Sequence, residues 1–522
     1  LCGCLAGKDD KERVKGNKAK SMNIQEAEQE VVRTVRAYTK KNEMGEYLIP
    51  VEKQRPLLLI GPPGIGKTAI MEQAARECGV NLISYTITHH TRQSAIGLPF
   101  LSKKEYGGKQ TTVTEYSMSE IIASVYDQIE KSGVQEGILF LDEINCVSET
   151  LAPTMLQFLQ YKTFGTHHLP EGFVIVTAGN PPQYNKSVRE FDIVTLDRIR
   201  KIEIQEDLPA WKKYAYEAGV HGAIMAYLEI RKDHFYSIRT DVENRYFVTA
   251  RGWEDLSRVM KVYESMDLPV TENLIGEYLQ DPEIARDFAD YYELYCKYQK
   301  VYCIPELLEG TIREAALAVG TAPFDEKLSL MGLLIDALRD EFADYTEQKA
   351  VQERVLRELQ KLTARIKGGE KALEVLKALE SSGEETLRQQ ESAGMLGRSD
   401  AHAFRLCLSA LHELEKELAQ RGTGEGKEDF AIARTWFDGR EEKRKRAMER
   451  TGDHLTHAFD FMAKCFGEGQ EMVIFLSELS ADKRCTLFVS DCGNEAYFKY
   501  NRLLLLDERK SSLTQDIMQL MP

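Results

Sequence analysis

The residues that could do chemistry begin at Gly61-Pro62-Pro63-Gly64-Ile65-Gly66-Lys67-Thr68, a GxxxxGK[ST] spacing. These residue types suit an anion. Glycines let backbone N–H groups turn inward onto phosphate oxygens. A helix opening at Ala69 adds the positive end of its dipole. Lys67 is placed to reach β- and γ-phosphates, and the Thr68 hydroxyl to ligate magnesium. Two carboxylates, Asp142 and Glu143, follow the apolar run Ile138–Leu141. Asp142 suits a magnesium ligand, directly or through a water, and Glu143 a general base that polarises an attacking water. Asn180 comes just after the run Phe173–Ala178, where its amide could orient that water. In Leu196-Asp197-Arg198-Ile199-Arg200 an arginine leaving the subunit could reach a neighbour's γ-phosphate. Arg198 is the first choice, with Arg200 and Arg189 behind it. Arg251, in Thr249-Ala250-Arg251-Gly252-Trp253, starts a helix and could contact the γ-phosphate from a helical lid.

Such side chains need a scaffold that delivers them to one place. The runs Leu57–Ile60, Leu82–Ile87, Ile138–Leu141 and Phe173–Ala178 lack polar alternation, which predicts strands buried on both faces of a parallel sheet flanked by helices. Ligands of such sheets bind beyond the carboxyl ends of the strands, where the loop, the carboxylate pair and Asn180 all fall. An amphipathic helix is expected over 24–45, closed by Gly45, with Val31, Val32 and Val35 on its apolar face. Residues 206–300 read as helical, for example Trp211–Lys232, Gly252–Met266 and Pro282–Lys300. Beyond about 305 the chain stays helical and strongly charged. Val355, Leu359, Leu362 and Ile366 form a narrow seam on a long helix or helical hairpin, with a turn at Gly368-Gly369. Residues 422–426 read as a linker, and Arg440–Arg450 as a solvated helix face.

Composition narrows the function classes. The chain has 522 residues, with 68 Lys+Arg against 83 Asp+Glu, a formal charge of −15. Apolar residues make up 43%, enough for a real core and about three domains. The acidic balance weighs against a surface devoted to nucleic acid. No stretch reaches the roughly 18 apolar residues of a membrane-spanning helix. The ten cysteines contain no CxxC pair, so neither a zinc site nor a redox centre is signalled, and free thiols in a reducing cytosol are expected. Adjacent histidines point to opposite faces of a strand, so His89-His90 and His167-His168 are poor chelators. Tyr497–Arg502 mixes aromatic and basic residues that could stack on single strands, but core packing is the expectation. Met22 is expected to be the native start, with 1–21 a disordered extension.

The order GPPGIGKT, LFLDEIN, TAGNPP and LDRIR resembles the AAA+ ATPases. Within them the chain looks most like the MoxR group. That likeness rests on Ile96-Gly97-Leu98-Pro99 before a hairpin near Gly107-Gly108, on a hairpin within Leu159–Phe173, and on the lid pattern Val248–Leu256. The resemblance covers about 24–300. It implies an α/β fold: a P-loop parallel sheet core with helices on both faces over 22–205, an α-helical lid over 206–304, and an extra helical C-terminal domain over 305–522. It implies ATP and Mg2+ as ligands, with Gly61, Pro62, Pro63, Gly64, Ile65, Gly66, Lys67, Thr68 and Ala69 around the nucleotide and Thr68 and Asp142 on the metal. Glu143, Asn180, Arg198 and Arg251 take the catalytic, sensor and arginine-finger roles. One departure is Ala250, where many relatives have proline before the sensor arginine. The resemblance further implies a cytoplasmic homo-oligomer, most simply a hexameric ring, that remodels or matures a protein complex with a von Willebrand factor A domain partner. Nucleic acid is not an expected partner. The competing reading is a nucleic-acid motor or restriction-type NTPase on the same core.

Overall fold

A computed structural model describes residues 21–502, apart from 90–94, 96, 185–187, 189–190, 242–243, 393, 395 and 425. Two compact units result. One runs to Ala210 and takes in a short stretch from Ser392; the other comprises Trp211–Glu391 and the chain from Leu396.

The first unit is built on five parallel strands in the order β2-β5-β8-β1-β9. These are β1 (Leu57–Ile60), β2 (Asn81–Thr86), β5 (Gly137–Asp142), β8 (Phe173–Gly179) and β9 (Arg200–Glu203). The unbroken apolar runs explain the arrangement. Leu57, Leu59, Phe140 and Val176 are fully buried, as a strand covered on both faces requires. Crossover helices include α2 (Lys67–Cys78) and Glu120–Ser132. The preceding helix α1 (Ile24–Thr39) buries Val31, Val32 and Val35 and packs along α2. Its start is fixed by a capping box between Asn23 and Glu26. It ends at Thr39, short of the expected 45, because the Asn42 side chain takes the N–H groups of Met44 and Glu46 and turns the chain.

Two hairpins depart from the sheet. Strands β3 (Pro99–Tyr106) and β4 (Lys109–Tyr116) pair antiparallel about a two-residue turn, Gly107-Gly108, with both residues at positive φ. Strands β6 (Thr163–Phe164) and β7 (His167–His168) form a smaller one, after a helix that runs on to Tyr161.

The second unit is mostly helical. The single helix expected over Trp211–Lys232 is two, Leu208–Ala218 and Gly222–Ile230, because Gly219 adopts φ +66° and His221 caps the next helix. A hairpin of β10 (Ser237–Thr240) and β11 (Arg245–Val248) was not legible, its strands being short and mostly exposed. Arg239 on it clamps the buried Asp281 with two hydrogen bonds of 2.7 Å, giving that carboxylate the partner it needs. Trp253, Tyr227 and Phe288 form an aromatic core. The seam residues lie on one helix, Phe324–Lys367, where Val355 and Leu362 are buried against Leu376, Cys407 and Leu414. Gly369, at φ +93°, turns the chain after that helix. Arg440–Arg450 sits on the helix Gly426–Phe466, where Arg446 pairs with Glu442 one turn away. Tyr497 and Tyr500 are buried against Phe459, which removes them from any stacking surface. Leu503–Leu506 lie outside the described residues.

Candidate active site

The site forms where β1, β5 and β8 end. The loop leaving β1 opens α2 through Gly66, whose φ of +96° is the left-handed region that favours glycine. Its N-cap, Gly66, makes no side-chain capping bond, and the start of this 12-residue helix faces the loop. Lys67 is buried, and its Nζ donates to Gly61 O and Pro62 O, each at 2.8 Å. It also donates to Asn180 Oδ1 at 3.0 Å, which joins the β1 loop to the end of β8. Thr68 Oγ1 donates to Asp142 Oδ2 at 3.3 Å, joining α2 to the end of β5. The structure thus brings Lys67, Thr68, Asp142 and Asn180 together from three strand ends.

Glu143 follows on a left-handed residue, φ +56°, a conformation costing about 1 kcal/mol in a non-glycine residue. Its backbone N–H donates to Asp142 Oδ1 at 2.8 Å, and Thr88 Oγ1 donates to its carboxylate at 3.0 Å. Burial, then the charges of Glu143 and Asp142, push the neighbouring Cys146 thiol above its ordinary range.

Sequence reasoning missed two residues here. Thr88 holds Glu143, and a lone threonine after a strand gave no signal. Asn145 is buried and donates from Nδ2 to Asn180 O at 2.7 Å, fixing the backbone that carries the Asn180 amide. The clue lay in Gly179: a Cβ there would stand 2.4 Å from Asn145 Oδ1.

The arginines separate. Arg200 is committed within its own chain, to Thr34 Oγ1 at 2.9 Å and Glu30 Oε1 at 2.5 Å. Arg198 is exposed, with one hydrogen bond to Gln160 Oε1 at 2.6 Å. Arg189 lies outside the described residues. Arg251 is exposed in the first turn of the helix Ala250–Ser265, in the second unit. His167 Nε2 lies 3.0 Å from Tyr116 O; His90 falls outside the described residues. Among the described residues, the His, Cys and carboxylate group close enough to share a cation is Glu380, His412 and Glu415. None of the described cysteines is in a disulfide bond.

Residues 57–197 match the model of the ATPase family associated with various cellular activities (AAA). This segment is an AAA domain. No curated protein matches the chain. An AAA domain implies nucleotide binding and ATP hydrolysis in general, and the donor set fits: a buried ammonium beside an uncapped helix start suits phosphate, and hydroxyl and carboxylate oxygens suit a hard cation. The matched segment ends on the exposed turn around Asp197, next to Arg198. No helix among the described residues is long and apolar enough to cross a membrane.

Proposed function

We propose that this chain is an ATP hydrolase of MoxR type, acting as a hexameric ring that remodels or matures a protein complex together with a von Willebrand factor A domain partner. The convergence of Lys67, Thr68, Asp142 and Asn180 carries the hydrolytic part of this reading. The two hairpins, Pro99–Tyr116 and Thr163–His168, support the MoxR part, since both fall where that group has insertions. The net charge of −15 favours a protein client over nucleic acid.

In this reading residues 61–69 hold the triphosphate, and the Lys67 ammonium exchanges its carbonyl acceptors for phosphate oxygens. Thr68 and Asp142 would hold Mg2+, which supplies charge neutralisation at the phosphates. Glu143 accepts the proton of the attacking water, while Thr88 positions its carboxylate. Asn180 orients that water, and Asn145 fixes Asn180. Arg198, the exposed arginine, stabilises transition-state charge at a neighbouring copy's site, and Arg251 acts from the lid formed by residues 206–304. Residues 305–522 form a platform for the client or partner.

The test is a trap pull-down. Glu143→Gln should bind ATP without hydrolysing it and hold the loaded assembly. A protein that co-purifies with it in ATP, but not with the Lys67→Ala, Glu143→Gln double variant, is the expected outcome. Recovery of nucleic acid or a nuclease subunit would instead favour a motor. Unchanged hydrolysis in Lys67→Ala would end the reading altogether.

A further inference from the structure

The second unit contains a cleft of about 690 Å³ whose walls carry five carboxylates, Glu264, Glu309, Asp336, Asp340 and Glu341, against one ammonium, Lys261. Ile304, Pro305, Leu308 and Leu333 line the same cleft and give it an apolar floor. Some of the charge is satisfied locally. Glu264 accepts from His221 Nε2 at 3.0 Å and from Tyr292 Oη at 2.6 Å, and Asp336 accepts the Gly222 N–H at 3.1 Å.

The rest is not. Asp336 and Asp340 are one turn apart on the helix Phe324–Lys367, a like-charge spacing that destabilises a helix. Burial, then Asp336, pushes the Asp340 carboxyl above the ordinary carboxylate range. Asp340 itself makes no hydrogen bond or ion pair among the described residues. His454 is nine-tenths buried; its Nδ1 meets Glu341 Oε1 at 2.7 Å, while its Nε2 has no hydrogen-bond partner. Glu309 Oε1 lies 3.3 Å from that Nε2, within ion-pair distance but without a hydrogen bond. Oε2 of Glu341 is likewise buried and unpartnered.

These features select a ligand class. An anion is excluded by the charge, and a neutral apolar molecule by the carboxylates it would strip of water. A single metal ion is a poor match, because these ligand atoms do not gather closely enough to share one. A primary ammonium on an alkyl chain meets both demands, with methylenes on the floor and charge between the acids. We infer that this cleft binds an alkylammonium of the linear polyamine type, with Asp340 and Glu309 as its main charge partners. The inference stands independently of the hydrolysis reading.

The full chain without nucleotide is titrated calorimetrically with spermidine, and in parallel with a trilysine peptide, at fixed ionic strength. Saturable one-site binding is expected. Whichever probe binds tighter tells whether the ammonium comes from a free polyamine or from a protein's lysines. Asp340→Asn should weaken binding about tenfold or more while leaving the unliganded melting temperature equal or higher, since it removes repulsion. Glu309→Gln should weaken binding too, and Glu374→Gln, an exposed carboxylate outside the cleft, should not. Absent binding, binding indifferent to Asp340→Asn, or equal displacement by Mg2+ at matched ionic strength would each overturn the assignment.

Discussion

Gly179→Ala tests whether Asn145 governs the end of β8. The added Cβ would lie 2.4 Å from Asn145 Oδ1 and 2.7 Å from its Cγ. Asn145 is only 5% exposed and has little room to retreat. Overpacking of this kind costs about 1–3 kcal/mol. Displacing the amide also breaks the 2.7 Å hydrogen bond to Asn180 O, which adds about 1 kcal/mol. The total, about 3 kcal/mol, corresponds to a fall of about 6–12 °C in a unit of this size. Calorimetry reads it in the transition that moves when ATP is added, and steady-state hydrolysis should fall in parallel as Asn180 and Lys67 lose register. Asn145→Ala alone should cost about 1–2 kcal/mol through the lost bond. In that background the obstruction is gone, so Gly179→Ala should cost almost nothing further. The double-mutant cycle therefore predicts a coupling of about 3 kcal/mol. Additive single effects, or a Gly179→Ala chain that melts and hydrolyses like the parent, would refute the packing argument.

Three further expectations concern the same unit. Lys162 is buried, donates to Gln54 Oε1 and Phe173 O, and has its pKa lowered from 10.5 to about 8, chiefly by burial. Below pH 8 both states are protonated and the burial penalty is complete. Between pH 8 and 10.5 the unfolded chain binds the extra proton, so stability rises with pH by up to about 3 kcal/mol relative to Lys162→Met; denaturation midpoints with identical pH slopes in parent and variant would contradict this. Thr88→Val should lower kcat about three- to tenfold while KM for ATP stays within about twofold, and Thr88→Ser should restore it, because only the hydroxyl bond to Glu143 is at stake. Arg198→Ala and Lys67→Ala subunits should each be inactive alone and regain hydrolysis when mixed, since one supplies an intact loop and the other an intact arginine; a mixture that stays inactive rules out a finger acting between copies.

Legibility followed the range of the interaction. Leu57–Ile60, Ile138–Leu141 and Phe173–Ala178 announced themselves because burial on both faces leaves an apolar run that needs no distant partner to be recognised. Gly107-Gly108 was equally plain, since two adjacent glycines meet the positive-φ demand of a tight hairpin locally. β10 and β11 were hidden because their stability comes from elsewhere: Arg239 on the hairpin binds Asp281, 42 residues on, and nothing in Ser237–Thr240 alone signals that clamp. The site divides along the same line. Lys67, Thr68, Asp142 and Glu143 belong to local spacings that chemistry dictates, whereas Thr88 and Asn145 matter through what they touch, Glu143 across 55 residues and Asn180 across 35. Arg198 and Arg200 could not be ranked by spacing, since only the folded chain shows Arg200 spent on Glu30 and Thr34. The loop and the acidic pair could be read as chemistry before any fold was known. The residues that hold them in place could be found only through the contacts that folding creates.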